Sequence, residues 1–177
     1  HRRWLYGSLH CEPTDAFGRA CFNEKAARNS MAKLINSLNQ GRHNVTLGER
    51  RFGKCLETLL EDDYLCWYDV PIGPARSHPD FLILHPSRGL LLVEVKDWKL
   101  ENIHQIDKLS IKRFENGKIK RDANPLEQAR GYMNRVVNKL SEDPQLCEAS
   151  GLYQGRLSFP YGYGVVLTNI TRKQLDG

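Results

Sequence analysis

Asp80, Glu94 and Lys96 are charged residues set into two stretches that otherwise read as core, Phe81–His85 (FLILH) and Gly89–Lys96 (GLLLVEVK). An ionised carboxylate next to core is costly unless it is paired or holds a metal. The turn chemistry of Pro86–Gly89 folds the two stretches into an antiparallel hairpin. That arrangement carries Asp80, at the start of the first strand, to the same end as Glu94, near the end of the second. Glu94 and Lys96 are two residues apart and share a strand face. Two carboxylates and one ammonium then converge. Hard carboxylate oxygens suit magnesium or manganese, which keeps water and phosphate oxygens as further ligands. Such an ion polarises a phosphate and activates water, and a lysine beside it orients that water or neutralises transition-state charge. The chemistry indicated is hydrolysis of a phosphodiester. The competing reading of Glu-x-Lys is a solvated ion pair. The apolar neighbours of Glu94 and the presence of Asp80 at hairpin distance weigh against it.

Three further residues fall where they could serve such a site. In GERRFGKCLETLL, Glu49 lies at helical spacing near the middle of the stripe Phe52, Leu56, Leu59 and Leu60, on the inward side of the first turn. Its competing reading is a carboxylate at the positive end of a helix. Gln128 and Tyr132 are four apart on one helix face, to the side of an apolar stripe, or else are a plain flanking polar pair.

The elements that must position these residues follow from pattern. The spacing of Ala27, Met31, Leu34, Ile35 and Leu38 predicts a helix over 23–39, with Gly41 as a stop. A second helix is expected from Gly48 to Asp63 and a strand from Leu65 to Ile72. The two hairpin strands follow, the second nearly continuous in Leu and Val as suits a central strand covered on both faces. Residues 103–121 predict a basic hairpin around Asn116-Gly117, the strongest short turn signal. Asn124 and Pro125 open a helix as N-cap and first position, with Glu127 completing a capping box. Tyr161–Asn169 predicts a last strand. The fold class is α/β, a short mixed β-sheet flanked by helices. The 177 residues allow one domain, 46–177, with an N-terminal helical extension over 1–45. The end just after a strand leads us to expect a longer parent protein.

Composition narrows the partners. Net charge is +5 and the isoelectric point is near 9.0, an excess suited to a polyanion. Lys112, Arg113, Lys118, Lys120 and Arg121 crowd the hairpin, with Lys108 nearby and Arg130 and Arg135 on the following helix. They could grip phosphates without reading sequence, or blunt an exposed sheet edge. The 5 cysteines include no CxxC pair, which argues against a zinc knuckle and a disulfide framework and makes a reducing cytoplasm the expected location. No apolar run reaches the length of a membrane span.

Taken in order, Glu49, Pro79-Asp80 and Glu94-Val95-Lys96 resemble the PD-(D/E)xK nuclease superfamily, and Gln128-x-x-x-Tyr132 resembles its QxxxY motif. More closely, Gly48-Glu49, Asp80, the Gly89–Lys96 strand, Trp98 and Asn124-Pro125 with Gln128 are similar to the nuclease-related domain, NERD, over roughly 46–168. Two positions depart from that pattern. Lys99-Leu100 replaces a glycine, and His78-Pro79 replaces an apolar residue before the Asp. The resemblance implies a restriction-endonuclease-like core and a Mg2+- or Mn2+-dependent deoxyribonuclease. Asp80, Glu94, Val95 and Glu49 would form its metal set, Lys96 would be the catalytic lysine, and Gln128 and Tyr132 would support the site. It also implies DNA as partner, a fused or associated helicase or ATPase, and a role in DNA processing or anti-phage defence. The alternative is a non-cleaving nucleic-acid-binding accessory domain.

Overall fold

The computed structural model describes residues 32–35, 45–73 and 77–176. Its main sheet has five strands in the order β1-β2-β3-β4-β8: β1 Lys33–Leu34, β2 Leu65–Tyr68, β3 Phe81–His85, β4 Gly89–Lys96 and β8 Tyr161–Leu167. β1 runs parallel to β2 and β8 parallel to β4, while β2, β3 and β4 are successively antiparallel. Helix α1, Leu47–Leu59, covers one face and α2, Pro125–Leu140, the other. Between β4 and α2 lies a separate antiparallel sheet of β5 Ile103–Ile106, β6 Ser110–Glu115 and β7 Lys118–Ala123. A short helix α3, Arg172–Asp176, follows β8. This mixed α/β architecture is consistent with a restriction-endonuclease-like core.

The alternation of β4 divides the core. Val93 and Val95 pack with Phe52 and Leu56 of α1 and with Phe81, whose ring meets Phe52 edge-on at 5.0 Å. Leu90 and Leu92 pack with Ala129, Met133 and Val136 of α2. Both faces of β4 are therefore covered, as its unbroken apolar run requires. At the hairpin turn Gly89 has φ +82°, and a Cβ there would lie 1.9 Å from the Pro160 carbonyl oxygen. Only glycine permits that approach, which lets Leu90 N–H donate to Pro160 at 3.0 Å and lock β8 beside β4.

Several elements differ from the sequence expectation. Residues 32–35 of the expected first helix include strand β1. Lys33 and Ile35 N–H donate to the carbonyls of Tyr64 and Cys66, so sheet pairing satisfies their backbone. The remainder of that expected helix lies outside the described residues. Helix α1 stops at Leu59, not Asp63, which leaves Leu59 exposed rather than in the inward stripe. Strand β2 ends at Tyr68, and Ile72 makes only an isolated bridge to Ser77. The basic segment has three strands, because Asp107 folds a turn between β5 and β6 by accepting from Leu109 N–H and Ser110 N–H. The Asn116-Gly117 turn forms as expected, both residues having positive φ. Asn124 caps α2 through Leu126 N–H, yet its own N–H donates to Leu109. Glu127 instead pairs with Arg130, so the expected capping box is not made.

Cys55 is disulfide-bonded, against the expectation drawn from cysteine spacing, while Cys66 and Cys147 are free. Burial, reinforced by Glu57, pushes the Cys66 thiol up to about 11. We expect alkylation of the native protein at pH 8 to mark the half-buried Cys147 and spare Cys66, as read by peptide mass spectrometry. Equal labelling of both would contradict the packing of β2.

Candidate active site

The register of the central hairpin places the acids. Phe81 pairs with Val93, so Asp80, one residue ahead of β3, falls opposite Glu94. Asp80 Oδ2 accepts the Val95 N–H at 2.7 Å, which fixes its side chain at the end of the strand pair. Glu94 and Lys96 share the strand face of Leu90 and Leu92 and point toward α2. Glu94 is 1 % exposed. Its Oε2 accepts from Lys96 Nζ at 3.1 Å. Its Oε1 accepts no hydrogen bond among the described residues. A buried carboxylate oxygen left in that state is expensive, and it marks a place where a cation would be favoured.

The electrostatics agree. Burial raises the Asp80 carboxyl above its ordinary range, and the Glu49 charge adds to this against the opposing pull of Val95 N–H and Lys96. Glu94 is raised by burial and then by Asp80, with Lys96 opposing. For Lys96, burial pulls downward, but Glu94 and Asp80 outweigh it and the ammonium is held above its usual value. Carboxylates outnumber the single ammonium. All the donors, including the Val95 carbonyl, are hard oxygens, a set that fits Mg2+ or Mn2+.

Glu49 approaches from α1. Thr46 and Glu49 form a reciprocal capping box at 3.2 Å in each direction. Glu49 Oε2 also accepts from the Tyr68 hydroxyl at 2.7 Å. The helix start is docked by Asp97, which accepts the Gly48 N–H at 2.8 Å and also bonds Thr168. A Cβ at Gly48 would lie 1.7 Å from Asp97 Oδ1 and 2.7 Å from Thr168 Oγ1. We expect Gly48→Ala to push Asp97 aside and destabilise the fold by about 1–3 kcal/mol, read as a lowered Tm. An unchanged Tm would mean that this docking contact is dispensable.

On α2, Gln128 Nε2 donates to the Tyr132 hydroxyl at 3.0 Å. Tyr132 packs against the core beneath β4 and lies close enough to act on Lys96. Thus Asp80, Glu94, Val95 and Lys96 meet at one strand end, Glu49 stands at the rim from α1, and Tyr132 with Gln128 stands behind Lys96. Glu49, Val95 and Lys96 open into a cleft of about 550 Å³, also lined by Trp98, Arg113 and Asn116.

The basic residues divide by partner. Arg113 lies over the Trp98 ring at 5.3 Å and pairs with Glu115 and Asp122. Lys120 shares the same two acids, and Arg130 is paired with Glu127. Lys118 is exposed and Lys112 half-buried, and neither forms an ion pair among the described residues. The exposed Arg121 donates to the Ser110 hydroxyl at 3.0 Å.

Sequence reasoning missed a second acidic group. Glu61, Asp63 and His85 bring three potential ligand atoms within 4.8 Å of one another, at the opposite end of β3 from Asp80. His85 Nδ1 accepts the N–H groups of Ser87 and Arg88 at 3.1 and 3.2 Å. Its hydrogen therefore sits on Nε2 and points at Asp63, 2.9 Å away. In this tautomer Nε2 has no lone pair for a metal, and the group serves as a clasp on the β3–β4 turn. Its signal in sequence was only the turn after His85; the proximity of Asp63 is set by strand pairing. Asp97, directly after Lys96, was also missed.

No helix among the described residues is long and apolar enough to cross a membrane. Comparison with protein families matches residues 45–160 to the nuclease-related domain, NERD. Neither the curated proteins nor the solved structures yield a match. The family match spans well over half of the chain and contains Glu49, Asp80, Glu94, Lys96, Gln128 and Tyr132. The chain belongs to the nuclease-related domain family, and its placement in the PD-(D/E)xK superfamily is consistent with that membership.

Proposed function

We propose that this domain is a metal-dependent nuclease that hydrolyses DNA phosphodiester bonds. The observation that carries this reading is the buried Oε1 of Glu94, which accepts no hydrogen bond among the described residues and lies opposite Asp80 and beside Lys96. Mere binding of a polyanion would gain nothing from converging carboxylates, which repel phosphate. Asp80, Glu94 and the Val95 carbonyl would hold Mg2+ or Mn2+, with Glu49 at the rim. When bound, such an ion supplies Lewis-acid polarisation of the phosphate and a lowered pKa for water.

The remaining roles belong to side chains. Lys96 is held in the ammonium form by its two carboxylate neighbours. It therefore orients the attacking water and stabilises charge on the phosphoryl oxygens, rather than accepting a proton. Tyr132, steadied by Gln128, limits where Lys96 can swing. The cleft beside Trp98 and Arg113 admits the strand. A role in DNA processing or anti-phage defence, with a fused or associated helicase or ATPase, extends the same proposal.

The test is cleavage of labelled single- and double-stranded DNA by the wild type and Asp80→Asn, with Mg2+, Mn2+ or EDTA. Metal-dependent cleavage by the wild type alone supports the reading. Cleavage that persists in EDTA, or equally in Asp80→Asn, contradicts it. DNA binding without cleavage under every condition would favour the non-cleaving accessory module.

A further inference from the structure

The small sheet sorts its charges by face. In β6 and β7 the register pairs Arg113 with Lys120, Glu115 with Lys118, and Ile111 with Asp122. These residues share one face. It is the face on which Arg113 lies over Trp98 and on which both acids of the two strands are consumed by Arg113 and Lys120. The opposite face presents Lys112 directly across from Arg121 and Phe114 directly across from Ile119. Neither β6 nor β7 places an acid there. Phe114 is 51 % exposed and Ile119 58 %. Asp107 is near Arg121, but its oxygens are occupied by Leu109 N–H and by Ser110.

A sheet face with an open aromatic ring beside two cations, and with its acids turned away, has the chemistry of a platform for an unpaired strand. A base stacks on the ring, and the flanking phosphates meet the cations. A paired duplex hides its base faces and can use only the cations. We propose that this outward face of β6–β7 binds single-stranded nucleic acid, with Phe114 and Ile119 under the bases and Lys112 and Arg121 on the backbone. The inference rests on the nuclease reading, because Phe114 and the tip of this hairpin also line the cleft that holds Glu49 and Lys96. It adds to that reading a preference for unpaired strands and a site outside the acid set.

The test is fluorescence anisotropy in EDTA, so that no strand is cut, with a short labelled oligothymidine and a blunt duplex as probes. The full chain is compared with Phe114→Ala, Phe114→Trp and a Lys112→Gln/Arg121→Gln pair. Wild type should bind the single strand more tightly than the duplex. Phe114→Ala should lose roughly tenfold in affinity for the single strand and none for the duplex, while Phe114→Trp retains it. The double variant should weaken both and flatten the salt dependence by about one to two phosphate contacts. The same arm with oligouridine assigns the sugar. Undiminished single-strand binding by Phe114→Ala, or no single-strand preference in the wild type, would overturn the assignment. Hydrolysis of bis(p-nitrophenyl) phosphate with Mn2+ is measured in parallel and needs no platform. Its absence from every protein would count against the nuclease reading, while the binding arms still judge the sheet.

Discussion

Lys96→Ala is expected to reduce DNA cleavage by roughly 10²–10⁴-fold while Mn2+ binding is retained. The ammonium lies 3.1 Å from Glu94 and is held protonated by Glu94 and Asp80. Its removal deletes a positive charge from the place where negative charge grows during phosphoryl transfer. The metal donors are all oxygens of other residues, so affinity for the cation should be unchanged or higher once a competing cation is gone. In the metal-free protein the same substitution leaves the buried Glu94 without its counter-charge, a change that costs about 3–5 kcal/mol in comparable buried pairs. Cleavage should therefore be measured with metal present and Tm followed in parallel. Lys96→Met, which keeps the apolar stem, separates lost packing from lost charge. Full cleavage by Lys96→Met would remove Lys96 from the chemistry.

The second large effect is a linkage between pH, metal and stability. Asp80 and Glu94 are both raised in the folded state, chiefly by burial. The folded protein therefore binds protons more tightly at these groups than the unfolded chain does. Their contribution to stability is fully present below the unfolded carboxylate value, near 4. It is lost as pH rises through the higher folded values. Metal-free wild type should accordingly lose more Tm between pH 4.5 and 7.5 than Asp80→Asn does. Mn2+ at a hundredfold excess over its Kd should raise Tm by about 5–10 °C at pH 7.5. At pH 4.5, where protons occupy the same oxygens, the gain should largely vanish. Thermal melts across this grid check the sign. A metal increment that is independent of pH would place the ion elsewhere.

How much of this was legible beforehand depended on how local the cause was. Asp80, Glu94 and Lys96 could be brought together from a two-residue period and one turn, and the register of Phe81 with Val93 bears out that geometry. Glu49 was legible as an inward residue of a first turn. Its actual orientation is set by Asp97 gripping the Gly48 N–H from 49 residues away, which no local pattern encodes. Residues 32–35 fit helical spacing, yet four residues fit an extended strand as well. The carbonyls of Tyr64 and Cys66 decide the matter. The basic segment showed its charges but not their partners. Only the strand register reveals that Arg113 and Lys120 spend theirs on Glu115 and Asp122. The disulfide at Cys55 was missed because cysteine spacing along the chain does not report distance in space.

The metal reading rests on Glu94 Oε1, buried and without a hydrogen bond among the described residues, belonging to a cation site. It is tested most directly by titrating Mn2+ into the metal-free wild type and Glu94→Gln by calorimetry near pH 7, in two buffers of different ionisation enthalpy. The wild type should bind Mn2+ with release of protons from the raised carboxyls, and Glu94→Gln should lose most of that affinity. Equal Mn2+ affinity in the two proteins, or no binding by the wild type, would contradict it.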